Sequence, residues 1–189
     1  MLLLPLVANA DWFDEIRDGG DKEALYRTLY YMPKGGDLHN HLSGAVFAEW
    51  WYELALAQKE RGYEYYTKVH ISNCRDFGGN AFTAPPYFLL FRNISALEYA
   101  QLDECEQGEH KRLEDLDDRE KAAWMNSIRL DKPWEGRDEF FQTHWQRLNA
   151  LTRNPWLQAE TLVKNLQAYA AEGMVYVEYQ IGASSYEGP

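Results

Sequence analysis

The sequence is poor in cysteine and in positive charge, and it has no long apolar run. Its 189 residues include 2 cysteines, and 19 Lys and Arg stand against 30 Asp and Glu, which gives a net charge of −11. Two cysteines are too few for a disulfide framework or a zinc ribbon. The negative charge argues against a nucleic-acid or anionic-membrane partner, because both bind Lys and Arg. No stretch approaches the ~20 apolar residues that span a bilayer.

The cysteines and the first ten residues bear on the compartment. Cys74 and Cys105 either form one bridge in an oxidising compartment or remain two thiols. Residues 1–10 end in Ala-Asn-Ala after a short apolar run. This pattern predicts the remnant of a secretory signal cleaved after Ala10, and the alternative is an ordinary buried N-terminal segment. We therefore expect a periplasmic or secreted protein.

The chain length and a hydrophobic fraction of 46% fit one globular domain. Residues 11–34 form a predicted helical arm, interrupted at Gly19-Gly20 and closed by Pro33. Its apolar positions recur at spacings of four and three, which is typical of an amphipathic helix; they are Leu25, Leu29 and Met32.

Two predicted strands flank most of the chain, one near 36–42 and one near 174–181. A helix over 45–61 follows the first strand. A helix ended by Gly173 precedes the second, and a helix, a glycine and an apolar strand in this order are typical of a βαβ unit. The pattern therefore predicts an α/β fold with a parallel sheet.

Residues 63–136 separate these parts and are far longer than an ordinary βα connection, so we interpret them as an inserted subdomain. Tyr63 to Ile71 alternates like a strand. Residues 111–129 form a predicted charged helix, and the acidic run 114–118 is expected to be its solvated face, since its spacing offers no calcium loop.

Two more helices are predicted after the insertion. The first has an aromatic face formed by Phe140, Phe141, Trp145, Leu148 and Leu151. The second begins with Asn154 as N-cap and Pro155 at the first helical position. Its expected buried stripe consists of Leu162, Leu166, Tyr169 and Ala170.

The chemistry centres on His39 and His41, two residues apart. On a helix the two rings would diverge, whereas on a strand both lie on one face and can hold a single ion. Imidazole nitrogen suits zinc. Leu38 and Leu42 are then expected to point the other way, toward packed helices. A strand followed at once by Gly-Ala and a helix places the pair at a strand's carboxyl end, where α/β folds locate their sites.

The segment 33–45, Pro-Lys-Gly-Gly-Asp-Leu-His-Asn-His-Leu-Ser-Gly-Ala, resembles the first-strand motif of the adenosine deaminase family, which are zinc enzymes on a (β/α)₈ barrel. The Met-Pro-Lys-Gly-Gly lead-in resembles the secreted branch related to the adenosine deaminase growth factors and their bacterial relatives. Residues 175–180 resemble the family's second barrel strand. The resemblance implies the N-terminal part of a TIM barrel, incomplete over 35–189, with the arm before the first strand and a helical insertion after it.

Residue by residue, the resemblance implies that His39 and His41 are zinc ligands and that Ser43 and Gly44 line a nucleoside pocket. Many members have Asp, a sugar contact, where Ser43 stands. Gln180 stands where Arg is common, so a neutral hydrogen bond is expected in place of the ion pair between that Arg and Glu178. The aromatic helix resembles the segment that roofs the purine pocket, which implies substrate contacts by Phe141 and Trp145.

The family's later catalytic motifs, of the His-Ala-Gly-Glu and Ser-x-Asp-Asp types, do not occur in this sequence. The three other histidines are not expected to be ligands. His110 has no Gly and no apolar strand around it, and His70 and His144 are expected on the surface or on helix faces. With no catalytic residue here, and with a length below the ~250 residues of a complete barrel, we expect an N-terminal fragment of a zinc-dependent purine nucleoside deaminase that is inactive by itself.

Three alternatives stay open. The first is another amidohydrolase-like purine deaminase. The second is a secreted, non-enzymatic binding module that stacks bases or sugars on its aromatic residues, although Trp50, Trp51 and Trp145 fall on helical stripes typical of a core. The third is a degenerate product kept for interaction alone. The resemblance also implies a homodimer as the candidate assembly.

Overall fold

The computed structural model describes residues 11–74, 88–182 and 186–189, which form a mixed α/β fold. The strands are β1 Gly36–His41, β2 Tyr65–Lys68, β3 Asn93–Ser95, β4 His110–Arg112 and β5 Tyr176–Gln180. The helices are α1 Asp11–Asp18, α2 Lys22–Tyr31, α3 Ala48–Ala57, α4 Ala96–Ala100, α5 Glu104–Gly108, α6 Asp118–Ser127, α7 Arg137–Glu139, α8 Trp145–Arg147, α9 Asn149–Thr152 and α10 Pro155–Ala171. A π-helical turn, Phe140–His144, joins α7 to α8.

None of the helices within the described ranges combines the length and the apolarity that crossing a membrane requires.

The first and last strands pair in parallel, as the βαβ pattern predicts. Gly36 lies opposite Tyr176, and His41 lies opposite Gln180. The register shifts by one residue between Asp37 and Asn40, so β1 carries a bulge at Leu38 and His39, which includes the first residue of the histidine pair. The helix that leads into β5 ends with Gly173 at a φ of +79°, a left-handed conformation that glycine adopts without strain.

The insertion contributes a second, antiparallel sheet. β2 is its central strand, with β3 on one side and β4 on the other. The strand predicted over Tyr63 to Ile71 is thereby confirmed in a shorter form, at Tyr65–Lys68.

A single hydrophobic core joins this insertion to the helices around it. Its fully buried centre is formed by Trp51 of α3, Leu113 and Trp124 of the insertion, and Leu151 and Leu157 near the start of α10. The Nε1 of Trp124 donates a hydrogen bond of 2.9 Å to Oδ1 of Asn93. The inserted residues therefore complete the core of α3 and α10.

The predicted start of the long helix is confirmed. Oδ1 of Asn154 accepts hydrogen bonds from the backbone N–H groups of Trp156 and Leu157, with Pro155 at the first position. Asn154 is 1% exposed, and its Nδ2 donates to the hydroxyl of Tyr65 at 2.9 Å. The cap thus ties α10 to β2, and burial raises the pKa of Tyr65 to about 12.

The acidic run 114–118 is not a helix face. The predicted helix over 111–129 divides into β4, a 3₁₀ turn at Leu113–Asp115 and α6. Asp117 caps α6 through a capping box with Glu120. The local hydrogen bonds of the Asp side chain therefore outweigh the helical periodicity of the apolar residues.

The stripe predicted for α10 is also wrong. The buried side chains are those of Leu157, Gln158, Thr161 and Asn165, whereas Leu166 is 43% exposed. The three polar members bond to backbone carbonyls of α10 or of Thr152, which makes their burial tolerable. Three members of the predicted stripe, Leu166, Tyr169 and Ala170, instead line a cavity together with residues 174–177.

Two further expectations are wrong in part, because some of the residues predicted to pack remain exposed to solvent. Leu42 is fully buried, but Leu38 is 69% exposed. The arm is broken at Gly19-Gly20 as predicted, yet α2 buries no residue, and Leu29 and Met32 remain exposed. Amphipathic spacing identified these faces without showing what packs against them.

The two cysteines form a disulfide, Cys74–Cys105, which links chain positions 31 residues apart. Beside it lies a buried ion pair between Lys68 and Glu109, whose side chains are 6% and 0% exposed. The proposed signal remnant, residues 1–10, lies outside the described residues.

Candidate functional site

The two histidines of β1 share one face of the strand, as their spacing predicts. Nε2 of His39 lies 3.2 Å from Nε2 of His41. The ring centroids are 5.0 Å apart and the ring planes are inclined by 71°. Both side chains are exposed, so the two nitrogens are accessible from solvent. The bulge at Leu38 and His39 disturbs the register without separating the pair.

A carboxylate fixes the backbone of His39. Oδ1 of Asp37 accepts a hydrogen bond of 3.1 Å from the N–H of His39, and Oδ2 accepts from Asn40 Nδ2 at 2.9 Å and from the Tyr169 hydroxyl at 3.1 Å. These bonds, led by that from Asn40, hold the pKa of Asp37 below its usual range. Tyr169 belongs to α10, so the helix anchors the bulge.

Gln180 contacts the other end of the same imidazole. Its amide nitrogen lies 3.2 Å from Nδ1 of His39. The sequence predicted a neutral hydrogen bond between Gln180 and Glu178, and this is wrong. Glu178 instead accepts from the hydroxyl of Tyr176 at 2.7 Å. Parallel pairing places Gln180 opposite His41, within reach of the histidine pair.

A cavity of about 420 Å³ opens beside the pair, and we call it the aromatic cavity. Its lining consists of His39, Asn40, His41, Gly44, Ala45, Phe140, Phe141 and Trp145. The structure thus brings Gly44, Phe141 and Trp145 to the histidines, as the sequence predicted. A cavity of this size with mostly apolar walls is typical of a small-molecule site.

A second cavity, of about 490 Å³, shares His41 and Trp145 with the first, and we call it the polar cavity. Its other described lining residues are Ser43, Thr152, Arg153, Gln158, Gln180, Ile181, Gly182 and Tyr186. Ser43 therefore lines the polar cavity, whereas its neighbour Gly44 lines the aromatic cavity. Arg153 is the cation in this lining, and it is paired with Glu187 at 2.8 Å, which balances its charge.

His144 lies in a helical turn, which agrees with the helix-face alternative, and it is buried. It is 3% exposed, and its Nε2 donates a hydrogen bond of 2.7 Å to the carbonyl of Arg129. It belongs to the same π-helical turn as Phe140 and Phe141. The histidine therefore attaches this wall of the aromatic cavity to the end of the insertion.

The remaining histidines lie away from the pair. His70 is exposed, as predicted. His110 begins β4, and its Nδ1 donates to the Glu106 carbonyl at 2.8 Å. Burial lowers the pKa of His110. Within the described residues, no group of three or more His, Cys, Asp or Glu side chains is arranged around a common point for a metal ion.

The geometry of the pair fits a zinc ion. Two nitrogens bound to tetrahedral zinc at ~2.05 Å lie about 3.3 Å apart, close to the 3.2 Å between the two Nε2 atoms. Metal binding through both rings requires that neither Nε2 carries a proton, so a neutral imidazole that binds the ion holds its proton on Nδ1.

Several residues at this site were not predicted as site residues, and four of them matter most to its geometry. Asp37 and Tyr169 hold the bulge, Gln180 contacts His39, and Tyr186 lines the polar cavity. The period-2 alternation of β5 could have placed Gln180 on the side of the histidines. Nothing local in the sequence points from Asp37 to a tyrosine 132 residues away.

Comparisons with protein-family models, with curated proteins and with solved structures found no match to this chain.

Proposed function

We propose that the chain carries part of the zinc centre of a purine nucleoside deaminase, on the first two strands of a (β/α)₈ barrel. The observation that carries the proposal is the 3.2 Å separation of the two Nε2 atoms beside an aromatic cavity of about 420 Å³. The parallel pairing of β1 with β5 supports the barrel, because the pair lies at the carboxyl end of β1.

When bound, zinc supplies a Lewis acid that lowers the pKa of a water molecule toward ~7 for attack on C6 of the purine, which releases ammonia. His39 and His41 hold the ion. Phe140, Phe141 and Trp145 offer apolar surface to a flat base, and the polar cavity beyond His41 offers the Ser43 hydroxyl to the sugar. The paired charge of Arg153 favours a neutral nucleoside over a nucleotide.

Zinc binding and turnover of the substrate have different requirements. Deamination needs a group that transfers a proton to the leaving nitrogen and a metal shell with more than two protein ligands. The sequence has neither a His-Ala-Gly-Glu nor a Ser-x-Asp-Asp type motif to supply them. We therefore propose that this chain binds zinc weakly through the pair and does not turn over substrate by itself.

Compartment and assembly are proposed with the function. The Cys74–Cys105 disulfide fits an oxidising, periplasmic or secreted location. The exposed aromatic residues of α2, among them Tyr26, Tyr30 and Tyr31, offer a surface for a homodimer. Sedimentation of the chain with and without residues 11–34 tests the dimer. A monomer both with and without residues 11–34 would contradict the proposed homodimer.

The test of the site is a zinc titration of the chain and of matched alanine variants. His39→Ala and His41→Ala are each expected to weaken binding more than the roughly 10–100-fold typical of second-shell losses. His70→Ala removes an exposed imidazole elsewhere and should leave the affinity unchanged. Zinc binding that neither β1 variant weakens would contradict the proposal.

Ammonia release tests the second half. With adenosine and zinc, the chain is expected to release no more ammonia than the double variant His39→Ala/His41→Ala. Steady release that the double variant abolishes would show that turnover does not need the missing motifs. Release from another purine nucleoside alone would redirect the proposal to that substrate.

A further inference from the structure

Gln180 is the side chain from the neighbouring strand that meets a ring of the histidine pair. Its amide nitrogen lies 3.2 Å from Nδ1 of His39, on the side of the ring away from His41. The contact joins residues 141 positions apart and depends on the parallel register that sets Gln180 opposite His41. The backbone N–H of the same histidine is held by Asp37.

This contact matters because a neutral imidazole carries one proton and can place it on either nitrogen. A histidine that binds a metal through Nε2 must carry its proton on Nδ1, and the group that accepts this proton fixes both tautomer and ring orientation. A Gln side chain has a donor and an acceptor of the same shape at its end. A half-turn of the amide therefore replaces the nitrogen beside Nδ1 with Oε1.

We propose that Gln180 is a positioning residue, which accepts the Nδ1 proton of His39 and so directs the Nε2 lone pair toward the ion shared with His41. This inference rests on the proposed zinc function and adds the residue that prepares the ligand. It also gives a chemical reason for glutamine at this position. Arg, the residue that the resemblance implies here, has only donors and cannot accept a proton from Nδ1.

The two proposed ligands then differ in how many hydrogen bonds fix their orientation. His39 is held at its backbone by Asp37 and at its ring by Gln180. For His41, the hydrogen bonds in the described part of the chain include no partner for Nδ1. Changes at Gln180 are therefore expected to act on the ring of His39. The tautomer of His41 is expected to depend on the bound ion and not on Gln180.

Three variants separate orientation from general damage. Gln180→Glu keeps the size and offers acceptors only, and Gln180→Leu keeps the approximate size and offers neither donor nor acceptor. Gln167→Leu makes the same change on the exposed surface of α10 and serves as the control. Each is compared with the unchanged chain by circular dichroism before further use.

The first readout needs no metal. Imidazole ¹⁵N shifts at about pH 8, where histidines are neutral, report which ring nitrogen carries the proton. We expect the Nδ1–H form of His39 in Gln180→Glu and a shift toward Nε2–H in Gln180→Leu. The second readout is zinc affinity, which should be kept or raised in Gln180→Glu and lowered roughly 10–100-fold in Gln180→Leu.

The outcomes distinguish this inference from the proposed function. In one outcome, Gln180→Leu shows the same His39 tautomer as Gln180→Glu and the same zinc affinity as the unchanged chain. If His39→Ala still abolishes zinc binding in that case, the positioning role of Gln180 is wrong and the zinc site is retained. If zinc binding ignores His39 and His41 altogether, the proposed function fails. In that case the tautomer spectra alone decide whether Gln180 orients the ring.

Discussion

The two sheets of the molecule differ in how much of their surface is covered. In the antiparallel sheet of the insertion, Tyr65 and Ile94 are 5% and 3% exposed. At the parallel sheet, Leu38 of β1 and Val175, the residue just before β5, are 69% and 84% exposed. The histidine pair lies on the less covered sheet, so side-chain packing contributes little to its geometry. The hydrogen bond from the His39 N–H to Asp37 and the contact of the His39 ring with Gln180 hold it instead.

The packing that stabilises the fold and the candidate site are therefore located in separate parts of the chain. The core of α3, α10 and the insertion should dominate the free energy of unfolding. The β1–β5 sheet should tolerate apolar truncation and should respond mainly to changes in polar contacts.

The largest contrast is expected between Trp124→Ala and Val175→Ala. Trp124 is fully buried and bonds to Asn93, so its truncation should lower the free energy of unfolding by about 3–5 kcal/mol. Val175→Ala should change it by less than about 0.5 kcal/mol. Denaturation by guanidinium measures both, and similar losses in the two variants would contradict the comparison.

Loss of the disulfide should come next. Cys74→Ser/Cys105→Ser opens a link across 31 residues and should destabilise the chain by about 2–4 kcal/mol. Because the bridge belongs to the insertion, zinc affinity of the histidine pair should be unchanged. A loss of zinc binding in a chain that remains folded would show that the two regions are coupled.

Two helix caps sharpen the comparison further. Asn154→Ala removes the buried cap of α10 and should cost about 1–2 kcal/mol in global unfolding. Asp21→Ala removes an equivalent cap from α2, which buries no residue, and should cost less than about 0.5 kcal/mol. An equal effect of the two caps on thermal unfolding would mean that the arm is part of the core.

The smallest effect is a pH dependence within the insertion. Burial holds the pKa of His110 below 6.5 in the folded chain, despite the hydrogen bond to Glu106. As the pH falls, the unfolded chain therefore binds this proton before the folded chain does. The contribution of His110 to stability is complete above pH ~6.5 and is lost as the pH falls from there through the folded pKa. His110→Gln should flatten this part of the stability profile, and an unchanged slope would assign it to another group.

Local chemistry in the sequence predicted much of the backbone. The Asn154-Pro155 start of α10, the left-handed Gly173 and the parallel pairing of the terminal strands follow from short-range preferences, and the structure confirms them. It also confirms that His39 and His41 share a face, because the two-residue period of a strand is geometric.

What the sequence could not predict depends on neighbours distant along the chain. Apolar spacing assigned Leu166 and Leu38 to a core that does not cover them. The capping preference of Asp117 begins α6 at Asp118, whereas the apolar pattern predicted that the helix begins at residue 111. The contact of Gln180 with His39 needed the register of two strands 141 positions apart.

The central claim is that His39 and His41 hold one zinc ion together. X-ray absorption at the zinc edge, on the chain loaded with less than one equivalent of zinc, tests it most directly. For the unchanged chain we expect two imidazole nitrogens at about 2.0 Å from zinc. The number of bound imidazoles should fall to at most one in His39→Ala and in His41→Ala, and it should stay at two in His70→Ala. The same imidazole count in the unchanged chain and in both β1 variants would contradict it.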